Sequence, residues 1–139
     1  MAFSQYLADE ILDWIKGGAF PAALSNVYVS VHSANPGTAG TSGDVTNTVN
    51  GSGRVTVSSA AFTAIASAVG GGREITNTGV ILISSSSVNV SPVTISHFGI
   101  WDAATAGNFL ASGSLTTPVE IQSGDTVQFN TGALAIRVV

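Results

Sequence analysis

Two histidines and eight carboxylates are the side chains of this sequence that could support acid–base or metal chemistry. His97 and Asp102 are five residues apart on a predicted strand, which places them on opposite faces and excludes a Ser-His-Asp arrangement built on them. We expect His97 to be structural and Asp102 to begin a turn by bonding to the backbone. His32 ends another predicted strand with no second ligand nearby, so we expect it at the solvent side or rim of the sheet.

The remaining polar motifs add no enzyme signature. Folding could bring Asp44, Glu74 and Asp125 together to bind a cation, although they are far apart in sequence. The segment 51–53 (GSG) lacks the glycine spacing and the Lys-Ser/Thr pair of a phosphate-binding loop. The chain has no cysteine, which excludes disulfides and thiolate metal sites. The sequence therefore predicts no catalytic residues, no cofactor and no bound metal.

Composition indicates one domain over residues 1–139 with an unusually uncharged surface. Hydrophobic residues make up 45% of the chain and charged residues only 9%, against a usual charged share of about 25%. Serine, threonine, asparagine and glycine supply the missing polarity. This mixture is typical of a β-rich protein whose outer faces carry hydroxyl groups, or of a surface covered by neighbours in an assembly.

Charge and hydropathy exclude two classes of partner. The net charge is −4, and the four cations are scattered at Lys16, Arg54, Arg73 and Arg137, so a phosphate-binding surface is not expected. No apolar run approaches the ~20 residues of a membrane helix. Acidic residues precede the first lysine, which argues against a signal peptide. We expect neither nucleic acid nor membrane as a partner, and a chain that stays soluble until it assembles.

Residues 4–16 form the one predicted helix. Ser4 is a suitable N-cap, and the glycines at 17 and 18 end the helix. Apolar side chains recur on one face at Leu7, Ile11, Trp14 and Ile15. We expect this stripe to pack on the sheet of the same chain. The alternative is that it docks on a partner subunit, with Trp14 as the main contact.

Short alternating segments predict an antiparallel β structure. They lie at 27–31, 55–57, 74–83, 88–90, 119–121, 127–129 and 134–138. We expect a bulge at Gly79, a strand start or sheet edge at Pro92, and Arg137 directed to solvent or to a partner's carboxylate. Residues 35–50 lack apolar periodicity and are predicted to be a flexible surface loop.

A predicted β-hairpin over residues 93–115 organises the rest of the chain. Its first strand carries Phe98 and Ile100 on one face and His97 and Trp101 on the other. One set should fill the core while the other faces a neighbouring element or chain. With turns every eight to twelve residues, the pattern predicts a single antiparallel β-sandwich, jelly-roll-like or immunoglobulin-like, with one N-terminal α-helix.

Three segments carry a family resemblance that covers nearly the whole chain. They are YLADEILDWIKGGAF leading into NVYVSVHSANPG, then ISHFGIWDAATAGNFLASGSLTTP, and finally SGDTVQFNTGALAIRVV. In this order they resemble small structural proteins of tailed-bacteriophage virions. These proteins are described as capsid decoration (cement) or tail-fibre proteins, and they share an N-terminal helix and an HFGIWD-type hairpin.

The resemblance implies a virion component made in the host cytoplasm, with two possible placements. The favoured one is a capsid decoration (cement) protein, a homotrimer or other homo-oligomer that binds and stabilises the lattice of the major capsid protein. The alternative is a tail-associated protein (a fibre, adaptor or receptor-binding component) that contacts tail proteins of the same virion. The side chains expected to meet a partner are Ile11, Trp14, Tyr28 and Trp101.

Overall fold

A computed structural model describes residues 2–84 and 92–139 of the chain as an antiparallel β structure with a helix near the N-terminus. The strands are β1 (Ala2–Phe3), β2 (Asn26–His32), β3 (Val55–Ser58), β4 (Ala66–Ser67), β5 (Arg73–Thr76), β6 (Ile81–Ser84), β7 (Val93–Trp101), β8 (Phe109–Ile121), β9 (Val127–Phe129) and β10 (Ala135–Val138). The helices are α1 (Gln5–Ile15) and α2 (Thr46–Val49), with one 3₁₀ turn at Ser59–Ala61. The predicted mainly β fold is confirmed, while the strand predicted at 88–90 lies outside the described residues.

The hairpin of β7 and β8 is the centre of a five-stranded sheet in the order β1-β8-β7-β2-β3. All four strand pairs are antiparallel. The hairpin predicted over 93–115 is therefore confirmed, and Pro92 directly precedes β7 as expected. The segment after Pro118 is not a separate strand, because β8 continues through it to Ile121. Proline is tolerated there since β1 pairs with β8 only at Ser112 and Ala111, which leaves Pro118 along a sheet edge.

The hydrophobic core lies between the inner face of this sheet and the two-stranded sheet of β6 and β9. Phe98 and Ile100 are both buried in it, so they form the core set of the hairpin. Phe98 meets Phe129 of β9 edge to face, with ring centroids 5.9 Å apart. The central valines of β2, Val29 and Val31, lie on the same inner face and are almost fully buried.

The strand predicted over 74–83 is in fact two strands in different sheets. β5 pairs with β4 and β10, whereas β6 pairs with β9. The chain turns between them at Asn77, whose buried amide donates to the carbonyls of Gly79 (2.7 Å) and Asn130 (2.9 Å) and accepts from the amide of Leu134 (2.9 Å). These three bonds satisfy the buried amide and hold the bend of the chain at residues 78–79. Gly79 therefore belongs to a turn, and the bulge expected there is wrong.

Arg137 in β10 has a carboxylate partner in the same chain while its side chain stays 37% exposed, so the expected direction toward solvent holds in part and the carboxylate it meets is its own chain's. It lies directly opposite Glu74 in the β5–β10 register. Its Nη2 and Nε atoms both donate to Glu74 Oε2, at 2.6 and 3.0 Å. Cross-strand neighbours of opposite charge attract at this distance, so the pair fastens the C-terminal strand to β5.

We expect Phe98→Ala to lower the free energy of unfolding by about 3–5 kcal/mol, because it removes a buried ring and leaves a cavity against Phe129. Chemical denaturation followed by tryptophan fluorescence and far-UV circular dichroism measures the loss. Val69→Ala is the control, since Val69 is 89% exposed and its truncation should stay within about 0.5 kcal/mol. A Phe98→Ala loss as small as that of the control would contradict the inner-face assignment.

Candidate interaction surface

Helix α1 is well capped but is attached to the rest of the chain mainly at its first turn. Ser4 Oγ accepts from the amide of Leu7 at 3.0 Å, which confirms the predicted N-cap. The amide of Ser4 donates to Leu110 O (2.9 Å), and that of Gln5 donates to Thr38 O (3.3 Å). Gly17 takes a positive φ of 103° just after the helix, as a terminating glycine does. These contacts fix where α1 starts and leave its later turns on the surface.

The apolar face of α1 is largely uncovered, and no residue of the helix is buried. Trp14 and Ile15 are 59% and 68% exposed, while Leu7 and Ile11 are half-buried. The expectation that the whole stripe packs on its own sheet is therefore wrong for Trp14 and Ile15.

The segment that follows α1 extends this apolar surface. Phe20 is 49% exposed and Leu24 is 42% exposed. Trp14 and Phe20 meet edge to face with centroids 6.3 Å apart, and together with Ile11 they line a shallow cleft of about 510 Å³. We call residues 11–24 the apolar arm.

The polar side of α1 is acidic. Asp9, Glu10 and Asp13 lie on it, and the single cation of the helix, Lys16, bonds to Asp13 Oδ1 at 3.0 Å. Both partners of this pair are well exposed, so it adds little stability. The helix thus presents an uncovered apolar face and a face with net negative charge.

Trp101 is 7% exposed and is not the exposed aromatic expected from the sequence. Its indole Nε1–H donates to Ser30 Oγ at 2.9 Å, Phe109 packs against its ring at 5.0 Å, and the guanidinium of Arg54 lies 3.5 Å above the ring centroid. The indole is therefore used to cover the outer face of the sheet. Tyr28, its register partner in β2, is half-buried, and its role in partner contact stays a prediction.

His32 is fully buried, which corrects its expected place at a solvent-exposed rim. Its Nδ1 lies 2.9 Å from Ser42 O, and its Nε2 lies 2.7 Å from Ser30 Oγ. Ser42 O can only accept, so Nδ1 carries the proton and Nε2 accepts from the Ser30 hydroxyl. That hydroxyl in turn accepts from Trp101. The result is a directed chain of hydrogen bonds, Trp101–Ser30–His32–Ser42, which we call the outer-face relay.

The outer-face relay holds residues 33–45 against the sheet. His32 also pairs with Asp44 as an isolated β-bridge, and Asp44 Oδ1 accepts from the amide of Thr46 at 2.9 Å. Thr46, the first residue of α2, is buried and bonds through its hydroxyl to both backbone groups of Val31. The loop predicted over 35–50 therefore includes a short helix and buried side chains. Its flexibility stays a prediction.

Two glycines make room for this arrangement. A Cβ at Gly99 would lie 2.5 Å from Ser30 Oγ, and one at Gly40 would lie 2.5 Å from the Phe109 ring. Gly40 also has a φ of 75°, which favours glycine. In the sequence, Gly99 stands between Phe98 and Ile100. A glycine inside a strand of large side chains indicates that another group approaches the backbone closely, and this pattern could have predicted the close packing over β7.

Two sets of hydrogen bonds stabilise the turn between β7 and β8. Asp102 accepts from the backbone and side-chain amides of Asn108 at 2.6 and 2.8 Å, which confirms its predicted role in the turn. Arg54 Nη1 donates to the carbonyls of Ala103 (2.9 Å) and Ala106 (2.8 Å). Burial lowers the pKa of Arg54, while the nearby carboxylates of Asp44 and Asp102 oppose that shift.

The titratable groups in the part of the chain that the structure describes form no cluster that could hold a metal ion. No three His, Asp or Glu side chains there are close enough to hold a metal ion, so Asp44, Glu74 and Asp125 are not brought together. Asp125 bonds instead to the amide of Gln122. His97 lies beside Ser96 Oγ, 2.8 Å from its Nδ1.

Comparison with protein families gives the class of the chain, which is a phage virion structural protein. A family model described as podophage GP4 fiber I protein gp80 matches residues 2–137, and the chain belongs to this family. The predicted phage resemblance is thus confirmed at the level of virion structural proteins, and the HFGIWD-type signature stays a prediction. No curated protein matches the chain. No helix within residues 2–84 and 92–139 is long and apolar enough to cross a membrane.

We expect Gly40→Ala to destabilise the fold more than Gly70→Ala does. Both positions have a positive φ, which costs an alanine about 1–2 kcal/mol. Only the Gly40 substitution also pushes a methyl group into the Phe109 ring, which should add about 1–3 kcal/mol. Thermal or urea unfolding of the two variants measures the difference. Equal losses would mean that residues 33–45 do not pack on the outer face.

Burial lowers the pKa of His32 below its ordinary value of 6.5, and the proximity of His97 and Arg54 lowers it further. The Ser42 carbonyl and Asp44 act in the opposite direction but do not outweigh burial. The unfolded chain therefore binds a proton at this histidine more readily than the folded chain. The contribution of His32 to stability is fully present above about pH 6.5 and declines as the pH falls below it.

We expect the midpoint of urea unfolding to fall between pH 7 and pH 5, and the fall to be clearly smaller in His32→Gln. Carboxylates also contribute to the total slope, so the difference between variants is the measured quantity. His97→Gln is the control, because it removes a histidine but keeps the outer-face relay. If His32→Gln and His97→Gln lose stability equally with pH, the buried histidine is not the titrating group.

Proposed function

We propose that this protein is a tail-associated structural protein of a phage, and specifically a component of its fibre. The observation that carries the proposal is the family match over residues 2–137, whose description names a fibre protein. The capsid-decoration placement favoured by the sequence resemblance receives no support from that description. The tail placement therefore replaces it.

In this proposal the protein acts through protein–protein contact, without catalysis and without a cofactor. The polar side chains that could do chemistry serve the fold. His32 belongs to the outer-face relay, Glu74 pairs with Arg137, and Asp102 closes a turn. The partners are tail proteins of the same virion, and neither nucleic acid nor membrane is among them. The expected homotrimer or other homo-oligomer stays a prediction.

Trp14 and Ile11 are the proposed partner contacts. Trp14 is 59% exposed and Ile11 is half-buried beside it, and the two share the cleft with Phe20. Tryptophan is enriched among the side chains that dominate binding energy, because a large ring loses much water contact when a partner covers it. Trp101 is withdrawn from this set because the chain itself buries it.

The copy number of this chain per purified virion tests the proposed function. Quantitative mass spectrometry with isotope-labelled peptides would compare it with the major capsid protein and with a tail protein as internal standards. We expect a small number of copies, in multiples of three or six, that co-purifies with tails after heads are removed. Hundreds of copies in a simple ratio to the capsid protein would overturn the fibre proposal in favour of capsid decoration. Absence from virions would overturn both.

A further inference from the structure

We infer that the apolar arm docks into an apolar groove of a different tail subunit, and that lysine or arginine side chains line the rim of that groove. The inference rests on the proposed function and adds the chemistry of the partner. It would make the arm the anchor of this protein in the assembly.

The first argument is the concentration of exposed apolar side chains. Four large hydrophobic residues that are at least 42% exposed fall within 11 positions of the arm: Trp14, Ile15, Phe20 and Leu24. Outside the arm, the large exposed hydrophobic side chains of the described chain are spread over residues 65–139. Single exposed apolar residues need no explanation, but Trp14 and Phe20 touch each other and share a cleft with Ile11, and such a contiguous group marks an interaction site.

The second argument is the form of the arm. Ile11, Trp14 and Ile15 are spaced at three and four residues, so they project from one face of α1, the arrangement by which an amphipathic helix fills a groove. The backbone hydrogen bonds that tie the helix to the rest of the described chain lie at its start, from Ser4 to β8 and from Gln5 to Thr38. The later turns are therefore free to enter a partner without any change in the β structure.

The third argument is charge, and it decides against a second copy of this chain as the occupant. Asp9, Glu10 and Asp13 give α1 a net negative charge that Lys16 offsets only in part. The three arginines of the chain are engaged elsewhere. Arg54 bonds to the β7–β8 turn, Arg73 to Ser67 Oγ and Ile65 O, and Arg137 to Glu74.

A second copy would therefore bring a net charge of −4 and another acidic helix to the contact. Like charges across an interface oppose binding, whereas opposite charges speed association and fix its register. A different subunit with a basic rim around an apolar groove matches both faces of α1. This is the occupant to which the inference commits.

Site-specific photo-cross-linking in assembled virions tests the partner. A benzophenone amino acid would replace Trp14, and a matched particle would carry it at Val69, which is 89% exposed and far along the chain. We expect position 14 to cross-link to one tail subunit other than this chain, at least tenfold above position 69, at a site that lies beside lysine or arginine residues. Cross-links to a second copy, or no excess over position 69, would overturn the inference.

A charge reversal tests the rim. Glu10→Lys and Glu120→Lys change the net charge equally, but only the first lies on α1, directly before the arm. We expect Glu10→Lys to lower incorporation into virions at least tenfold relative to Glu120→Lys, with unchanged thermal melting of the purified chain. Equal incorporation of the two variants would overturn the basic rim.

If the copy number shows tail stoichiometry while position 14 links to a second copy, the inference fails alone. If the chain has capsid stoichiometry, the proposed function fails first.

Discussion

The outer-face relay is the constraint on which the rest of the structure depends. A sheet with one face in the core normally leaves the other face to water, but here the second face carries Trp101, Phe109 and a fully buried His32. Each buried polar atom of the relay has a partner, so its burial does not leave an unpaired group. Because His32 bonds to Ser42, residues 33–45 are tied down as a cover over the sheet.

This cover also contributes to the attachment of α1. The helix begins where it can bond to both layers, through Ser4 to β8 and through Gln5 to Thr38 of the cover. Past that turn, Trp14 and Ile15 of the apolar stripe are exposed. One consequence follows for binding: the start of the helix is fixed before any partner arrives, which reduces the ordering that association would require.

Much of the fold could be predicted from local patterns, while the outer layer could not. Ser4, the hairpin around Asp102 and the core position of Phe98 depend on capping, turn chemistry and alternation, which neighbouring residues decide. The burial of His32 depends on a loop ten residues away, and the division of 74–83 depends on Asn77 meeting residues more than fifty positions later. Hydrophobic periodicity depends on neighbouring residues, so it does not indicate such long-range contacts. For the same reason, the sequence predicts the apolar stripe of α1 but does not show whether the same chain or a partner covers it.

The open edge of the sheet along β8 affects how readily two copies of the chain could pair edge to edge. An open strand edge is a template on which identical chains can align into continuous ladders. Here Pro118 removes one donor from that edge, and the pairing of β8 with β7 slips between His97 and Ile95, so the exposed edge is neither flat nor regular. Copies held close together in an assembly would find no uninterrupted row of donors and acceptors to match. An irregular edge of this kind is a poor template for such ladders.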